Sequence, residues 1–252
     1  MPHTLDTVLR WTGSALRPAA AAPAGELLVA DSWLLDEGYE RAADAHWARF
    51  CGSCAELGVQ RGELARFRGA VRAALPAEGR WFPRIELTAD GLALRLRRAP
   101  PLEREARVLV APPGDPRRRP RRKGPDLALL GSLRARARER GADELLLCGA
   151  DGTLLEGALS SLLWWEGEAL CTPPDEHVLP GVTRALLLDA ARARGVEVRV
   201  RAARPAELDG CETWLTSALH GIRVVSGWLS PSIAAGAGVR APAWREELDR
   251  DG

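Results

Sequence analysis

The 252-residue chain contains a single lysine, Lys123, a single tyrosine, Tyr39, and a single methionine. The other 34 basic residues are arginine. Arginine keeps its proton in a protein, whereas a lysine amine can become neutral and is then a nucleophile. A chain that uses arginine wherever charge suffices has kept one amine, which makes Lys123 a candidate for covalent chemistry with an aldehyde.

Other shortages exclude whole classes. No run approaches the roughly 18 apolar residues of a membrane-spanning helix, and Met1 to Leu16 has no basic start followed by an apolar stretch, so it does not read as a signal peptide. The net charge of +1 gives no global pull toward nucleic acid or an anionic membrane. Five cysteines, an odd number without framework spacing, suggest reduced thiols and a cytoplasmic location. Cys51-x-x-Cys54 has His46 nearby but no second ligand pair, so a helix core with one exposed thiol is expected there and no metal. GAGVR (236–240) lacks the strand and helix context of a dinucleotide fingerprint. The Arg117–Arg122 run has no interleaved aromatics and reads as a solvated loop. Its position just before Lys123 allows one or two of its arginines to draw an anionic substrate toward that residue.

What is present is an α/β pattern. Residues 26–34 read as a strand, 40–57 and 61–74 as helices, and 81–87, 92–97 and 106–111 as strands. Residues 17–25 (RPAAAAPAG) read as a loop. The segment PPGDPRRRPRRK then marks a boundary. The expected organisation is a small α+β domain over 1–113, a Pro/Arg-rich loop over 114–122 and a larger domain over 123–252. In the second part, 127–140 and 182–194 read as helices. The strands 144–148 and 153–157 form a hairpin across Ala150-Asp151-Gly152, and 161–165 pairs with 168–172 across Glu166-Gly167. Further strands are expected at 196–200, 212–217 and 222–226. Trp164-Trp165 is expected to span both strand faces, one ring in the core and one at a dimer or domain interface.

Four features stand in order: Lys123; Glu156, 33 residues on and just after a strand; LPGVTR (179–184), which opens a helix; and TSALHGIRVV (216–225) after a strand. With HWAR (46–49) as a weaker echo, this set resembles the fold-type IV pyridoxal-phosphate enzymes, which include the branched-chain and D-amino-acid aminotransferases and aminodeoxychorismate lyase. The resemblance covers roughly 115–228. It implies a two-domain α/β architecture with the cofactor at the domain junction, and a homodimer.

The resemblance also assigns roles. Lys123 forms the Schiff base with pyridoxal phosphate and then carries the substrate's α-proton. Glu156 pairs with the pyridine nitrogen and keeps the ring protonated. Arg49, Gly181, Val182, Thr183, Thr216 and Ser217 hold the phosphate, the helix that opens at Val182 adding unpaired N–H groups. His220 and Arg223 are placed to meet a substrate carboxylate. The implied reaction moves an amino group between an amino acid and a 2-oxo acid; the alternatives are a lyase of the aminodeoxychorismate type and a non-catalytic protein on the same scaffold. Departures bear on substrate choice. Ser161 and Ser217-Ala218 stand where many relatives have Asn and Asn-Ser, Asp126 and Leu127 replace the tyrosine often found after the lysine, and the Ala/Pro loop replaces an Arg-Gly-x-Gly-like segment.

Overall fold

A computed structural model describes residues 7–19 and 25–251. The central residues of the Ala/Pro loop, 20–24, lie outside the described residues. The rest cluster into two compact units: one holds the chain up to Pro101 together with Arg122–Pro125, the other Leu102–Arg121 and Asp126 onward.

The first unit contains β1 (Thr7–Trp11), β2 (Leu16–Pro18), β3 (Leu27–Ser32), β4 (Leu35–Asp36), β5 (Tyr39–Glu40), α1 (Ala43–Ala55), α2 (Arg61–Ala74), β6 (Arg80–Trp81), β7 (Arg84–Thr88) and β8 (Gly91–Leu96). Five strands form an antiparallel sheet in the order β2-β1-β8-β7-β3, and β5-β4-β6 form a small second sheet. The apolar spacing of α1 buries Trp47, Phe50 and Cys54, and α2 buries Leu64, Phe67 and Val71. These side chains pack with Val29, Trp33, Ile85 and Leu94 in one core. β1 escapes the sequence reading because it is short and only Val8 is fully buried.

The second unit is built on β9 (Glu105–Val110), α3 (Leu127–Glu139), β10 (Glu144–Cys148), β11 (Leu154–Gly157), β12 (Ser161–Glu166), β13 (Ala169–Thr172), α4 (Val182–Ala193), β14 (Val198–Val200), β15 (Thr213–Ser217), β16 (Gly221–Ser230) and α5 (Ala241–Asp251). Eight strands run in the order β11-β10-β9-β16-β15-β12-β13-β14. Two pairs are parallel neighbours joined through a helix: β9 to β10 through α3, and β13 to β14 through α4. Such crossovers are what parallel pairing requires. Both expected hairpins are present, β10–β11 with a register shift and β12–β13 without one.

Two expectations are corrected here. The strand over 106–111 belongs to the second unit, because β9 lies between β10 and β16 and pairs in parallel with both. The unit therefore starts near Leu102 rather than at 123, while Lys123 itself falls in the first unit. Trp165 is not presented at a surface. It is 4% exposed and packs edge-on against Trp214 and tilted against Trp244 of α5, while Trp164 fills the opposite core cluster. Among the described residues, no helix is long and apolar enough to cross a membrane.

Candidate active site

Lys123 sits in an irregular stretch that docks on β3: its carbonyl accepts a hydrogen bond from the Ala30 N–H at 2.7 Å. Gly124 makes that approach possible. Its φ of +144° is a region that favours glycine, and a Cβ there would lie 2.8 Å from the Val29 Cα. The Lys123 amine makes no hydrogen bond among the described residues, and its neighbours shape its charge. Burial lowers the ammonium to about 8, the nearby Arg49, Arg97 and Arg84 guanidinium groups push the same way, and Asp31 opposes them.

Asp31 organises this cluster. It lies in β3, 1% exposed, and its Oδ1 accepts the Ser32 N–H at 2.8 Å. Arg49 grips it bidentately, Nε to Oδ2 and Nη2 to Oδ1, both at 2.8 Å, and the His46 Nδ1 meets Oδ1 at 2.8 Å. His46 and Arg49 are three residues apart on α1 and share the face turned to β3. Burial opposes ionisation of Asp31, but Arg49 and His46 outweigh it and hold the carboxyl well below the usual range. Sequence reasoning found Arg49 and missed Asp31. The available signal was a carboxylate inside an otherwise apolar strand, ELLVADSWL, since a buried acid must be paired.

The second unit gathers the other expected residues. Glu156, at the end of β11, is 4% exposed, and its Oε1 accepts the Leu179 N–H at 2.8 Å and a bond from Arg117. Burial pushes its carboxyl up to about 7 against the pull of Arg117 and the Leu179 N–H. The LPGVTR segment is therefore bonded directly to Glu156. It opens α4 at Gly181, with no side-chain cap for the first turn, so the N–H groups at the Val182 end are not met by a capping side chain. Arg184 anchors this start by bonding Thr172 Oγ1 at 2.6 Å, Asp175 at 2.7 Å and the Pro173 carbonyl at 3.1 Å.

Ser161 packs its hydroxyl on Gly181, where any Cβ would collide with it. Ser161 also pairs with Thr216 across β12 and β15, which brings the α4 start and the second loop to the same end of these two neighbouring strands. The Thr216 hydroxyl is buried and has no hydrogen-bond partner among the described residues. Ser217 accepts the His220 N–H at 3.2 Å.

His220 and Arg223 have other work. Arg223 is 1% exposed and bridges Glu103 at 3.1 Å and the fully buried Glu144 at 3.2 Å; the His220 Nδ1 accepts the Glu103 N–H at 3.1 Å. This internal ion network replaces the expected contact with a substrate carboxylate, because a buried guanidinium is costly to unpair. The Arg117–Arg122 run is likewise not simply solvated: Arg117 is buried, Arg121 bonds the Asp175 carbonyl, and Arg122 bonds Glu56 at 2.6 Å. Asp126, in the place of the absent tyrosine, accepts the Arg118 and Arg119 N–H groups at 3.2 and 2.8 Å and so pins the loop. Cys54 is buried in α1 and its thiol is pushed up to about 12, as suits a packing residue.

Residues 28–228 match the model of the family Amino-transferase class IV. The chain belongs to this family. A curated relative, aminodeoxychorismate lyase of Bacillus subtilis, is 34% identical over 71 residues, a stretch that spans 27% of this chain and 24% of the lyase. The fold is shared with solved structures. A hypothetical aminotransferase from Mycobacterium tuberculosis in a PLP-bound form superposes with a TM-score of 0.80 at 20% identity, covering 97% of this chain and 98% of that one. A putative 4-amino-4-deoxychorismate lyase from Legionella pneumophila gives 0.74 at 17% identity, covering 90% and 92%.

Proposed function

We propose that this class IV family member is a pyridoxal-phosphate-dependent aminotransferase that moves an amino group between an amino acid and a 2-oxo acid. The observation that carries the reading is Lys123: the only lysine, without a hydrogen bond at its amine among the described residues, and lowered to about 8 by burial and three arginines. An amine in that range is neutral for part of the time near neutral pH, as a nucleophile and proton carrier must be.

The residues present suit the cofactor. The unpartnered Thr216 hydroxyl, the uncapped start of α4 at Gly181-Val182-Thr183 and the neighbouring Ser217 make a donor set for a phosphate. In the first unit, Asp31 orients Arg49, the guanidinium that the family resemblance assigns to the phosphate. Glu156 is a buried carboxylate with one oxygen, Oε2, that takes no hydrogen bond among the described residues, which suits a pyridine N–H. When bound, pyridoxal phosphate offers an aldehyde to amines and a ring that withdraws electrons from the substrate's α-carbon. With the cofactor bound, Lys123 would supply the protein's amine and move the α-proton, Glu156 would hold the proton at the ring nitrogen, and the phosphate donors would fix the ring's position.

The B. subtilis and L. pneumophila relatives keep lyase chemistry as the second reading. A single-turnover experiment separates the two. Transamination predicts that an amino acid bleaches the visible band of the loaded protein while a stoichiometric 2-oxo acid appears. Release of pyruvate from aminodeoxychorismate, with the band restored and no net amino transfer, would favour the lyase. Two further readings belong with this proposal. Five unpaired thiols support a reducing, cytoplasmic setting, and family likeness supports a homodimer, which sedimentation would report as a species of two chains.

A further inference from the structure

Among the arginines before Lys123, Arg117 stands apart. Its side chain is 3% exposed. It donates from Nε to Asp115 Oδ1 at 2.9 Å, and from Nη2 to Asp115 Oδ2 at 2.9 Å and to the His177 carbonyl at 2.7 Å. Its Nη1 donates to Glu156 Oε1, the oxygen that also accepts the Leu179 N–H. The guanidinium is thus held on one side by acceptors from two segments, and on the other it delivers a permanent charge to one oxygen of the acid. The second oxygen takes no hydrogen bond among the described residues.

A buried carboxylate that faces a pyridine nitrogen can share one proton in two ways. Either the acid is ionised and the ring protonated, or the acid is neutral and the ring is not. Removal from water favours the neutral pair. A fixed cation on the far oxygen favours the ionised acid. Arg184 also lowers Glu156 through its field, but it is engaged with Thr172, Pro173 and Asp175. The geometry points to Arg117 as a positioning residue for Glu156: it orients the carboxylate and favours its ionised form, so that a pyridine nitrogen at Oε2 would stay protonated. The inference rests on the assignment of Glu156 to the ring nitrogen. With Arg117 in place, burial already pushes the acid up to about 7, so loss of the guanidinium would leave it neutral across the neutral pH range. The alternative is that Arg117 is only a clamp joining the loop at Asp115 to the His177 segment.

The test uses the full-length protein loaded with pyridoxal phosphate carrying 15N in the ring, read by NMR, because the nitrogen shift separates protonated from free pyridine. The parent should show the protonated value. Arg117→Gln should move it to the free value, as should Glu156→Gln. Arg117→Lys should match the parent at neutral pH and move to the free value in alkaline buffer, since lysine loses its charge where arginine does not. That titration decides the matter alone if Arg117→Gln does not fold. A parental value in Arg117→Gln, or a flat alkaline profile in Arg117→Lys, overturns the inference while Glu156→Gln still shifts; a free-pyridine value in the parent overturns the Glu156 assignment and the inference together. A parental value in Glu156→Gln is a different failure, that of the Glu156 assignment itself, and it takes the inference with it.

Discussion

Lys123 is held in a field made mostly of guanidinium groups, with Asp31 as the anion that moderates it. Asp31 raises the lysine's proton affinity while burial, Arg49, Arg97 and Arg84 lower it. Asp31→Asn should therefore move the pH midpoint for acylation of Lys123 in the cofactor-free protein below about 8. An unmoved or higher midpoint would remove Asp31 from the account. The same depression costs stability. The unfolded chain binds a proton that the folded chain sheds, so the cofactor-free protein should lose stability as pH falls from the usual lysine range toward about 8, and remain less stable below that. Lys123→Met should then stabilise the cofactor-free protein at neutral pH by up to about 3 kcal/mol, measured by denaturant unfolding, while abolishing covalent capture of the cofactor. At this scale the sequence was partly legible. A lone lysine and a glutamate at the family spacing are visible in one dimension. The partners Asp31 and Arg117 are not, because an acid in a strand and a member of an arginine run become informative only when the fold shows which charge each meets. The chain has no asparagine, and the Ser161 hydroxyl packs closely against Gly181.

At the scale of elements, short irregular connections do the positioning. The Lys123 segment is fixed by one backbone bond to β3 and by Gly124, whose conformation and closeness to Val29 leave no room for a side chain. Gly124→Ala should cost about 2 kcal/mol or more, from strain at positive φ plus a backbone clash. It should also slow cofactor capture at Lys123 by displacing the segment, as following the visible band during loading would show; parental stability and capture would mean that the segment is not held there. Helices and hairpins with strong periodicity, α1, α2, α4 and the β10–β11 and β12–β13 pairs, were readable. The helix α5 was not: most of its residues are charged, and its buried Ala241, Trp244 and Leu248 are a thin stripe.

At the scale of the whole molecule, the family match runs from residue 28 to 228 and crosses both compact units. The expected boundary in the Pro/Arg-rich loop failed because composition marks exposed chain, not the sheet a strand will join; β9 precedes that loop and is inserted between β10 and β16. Lys123 and Arg49 belong to one unit, and Glu156, the α4 start, Thr216 and Ser217 to the other. The central claim is that the lone lysine captures pyridoxal phosphate. The direct measurement is the visible spectrum of the protein with the cofactor, followed by borohydride reduction and peptide mapping. The account predicts a yellow protein and a single pyridoxyl adduct on Lys123, absent in Lys123→Arg. A colourless protein that traps nothing with excess cofactor, or an adduct elsewhere, would contradict it.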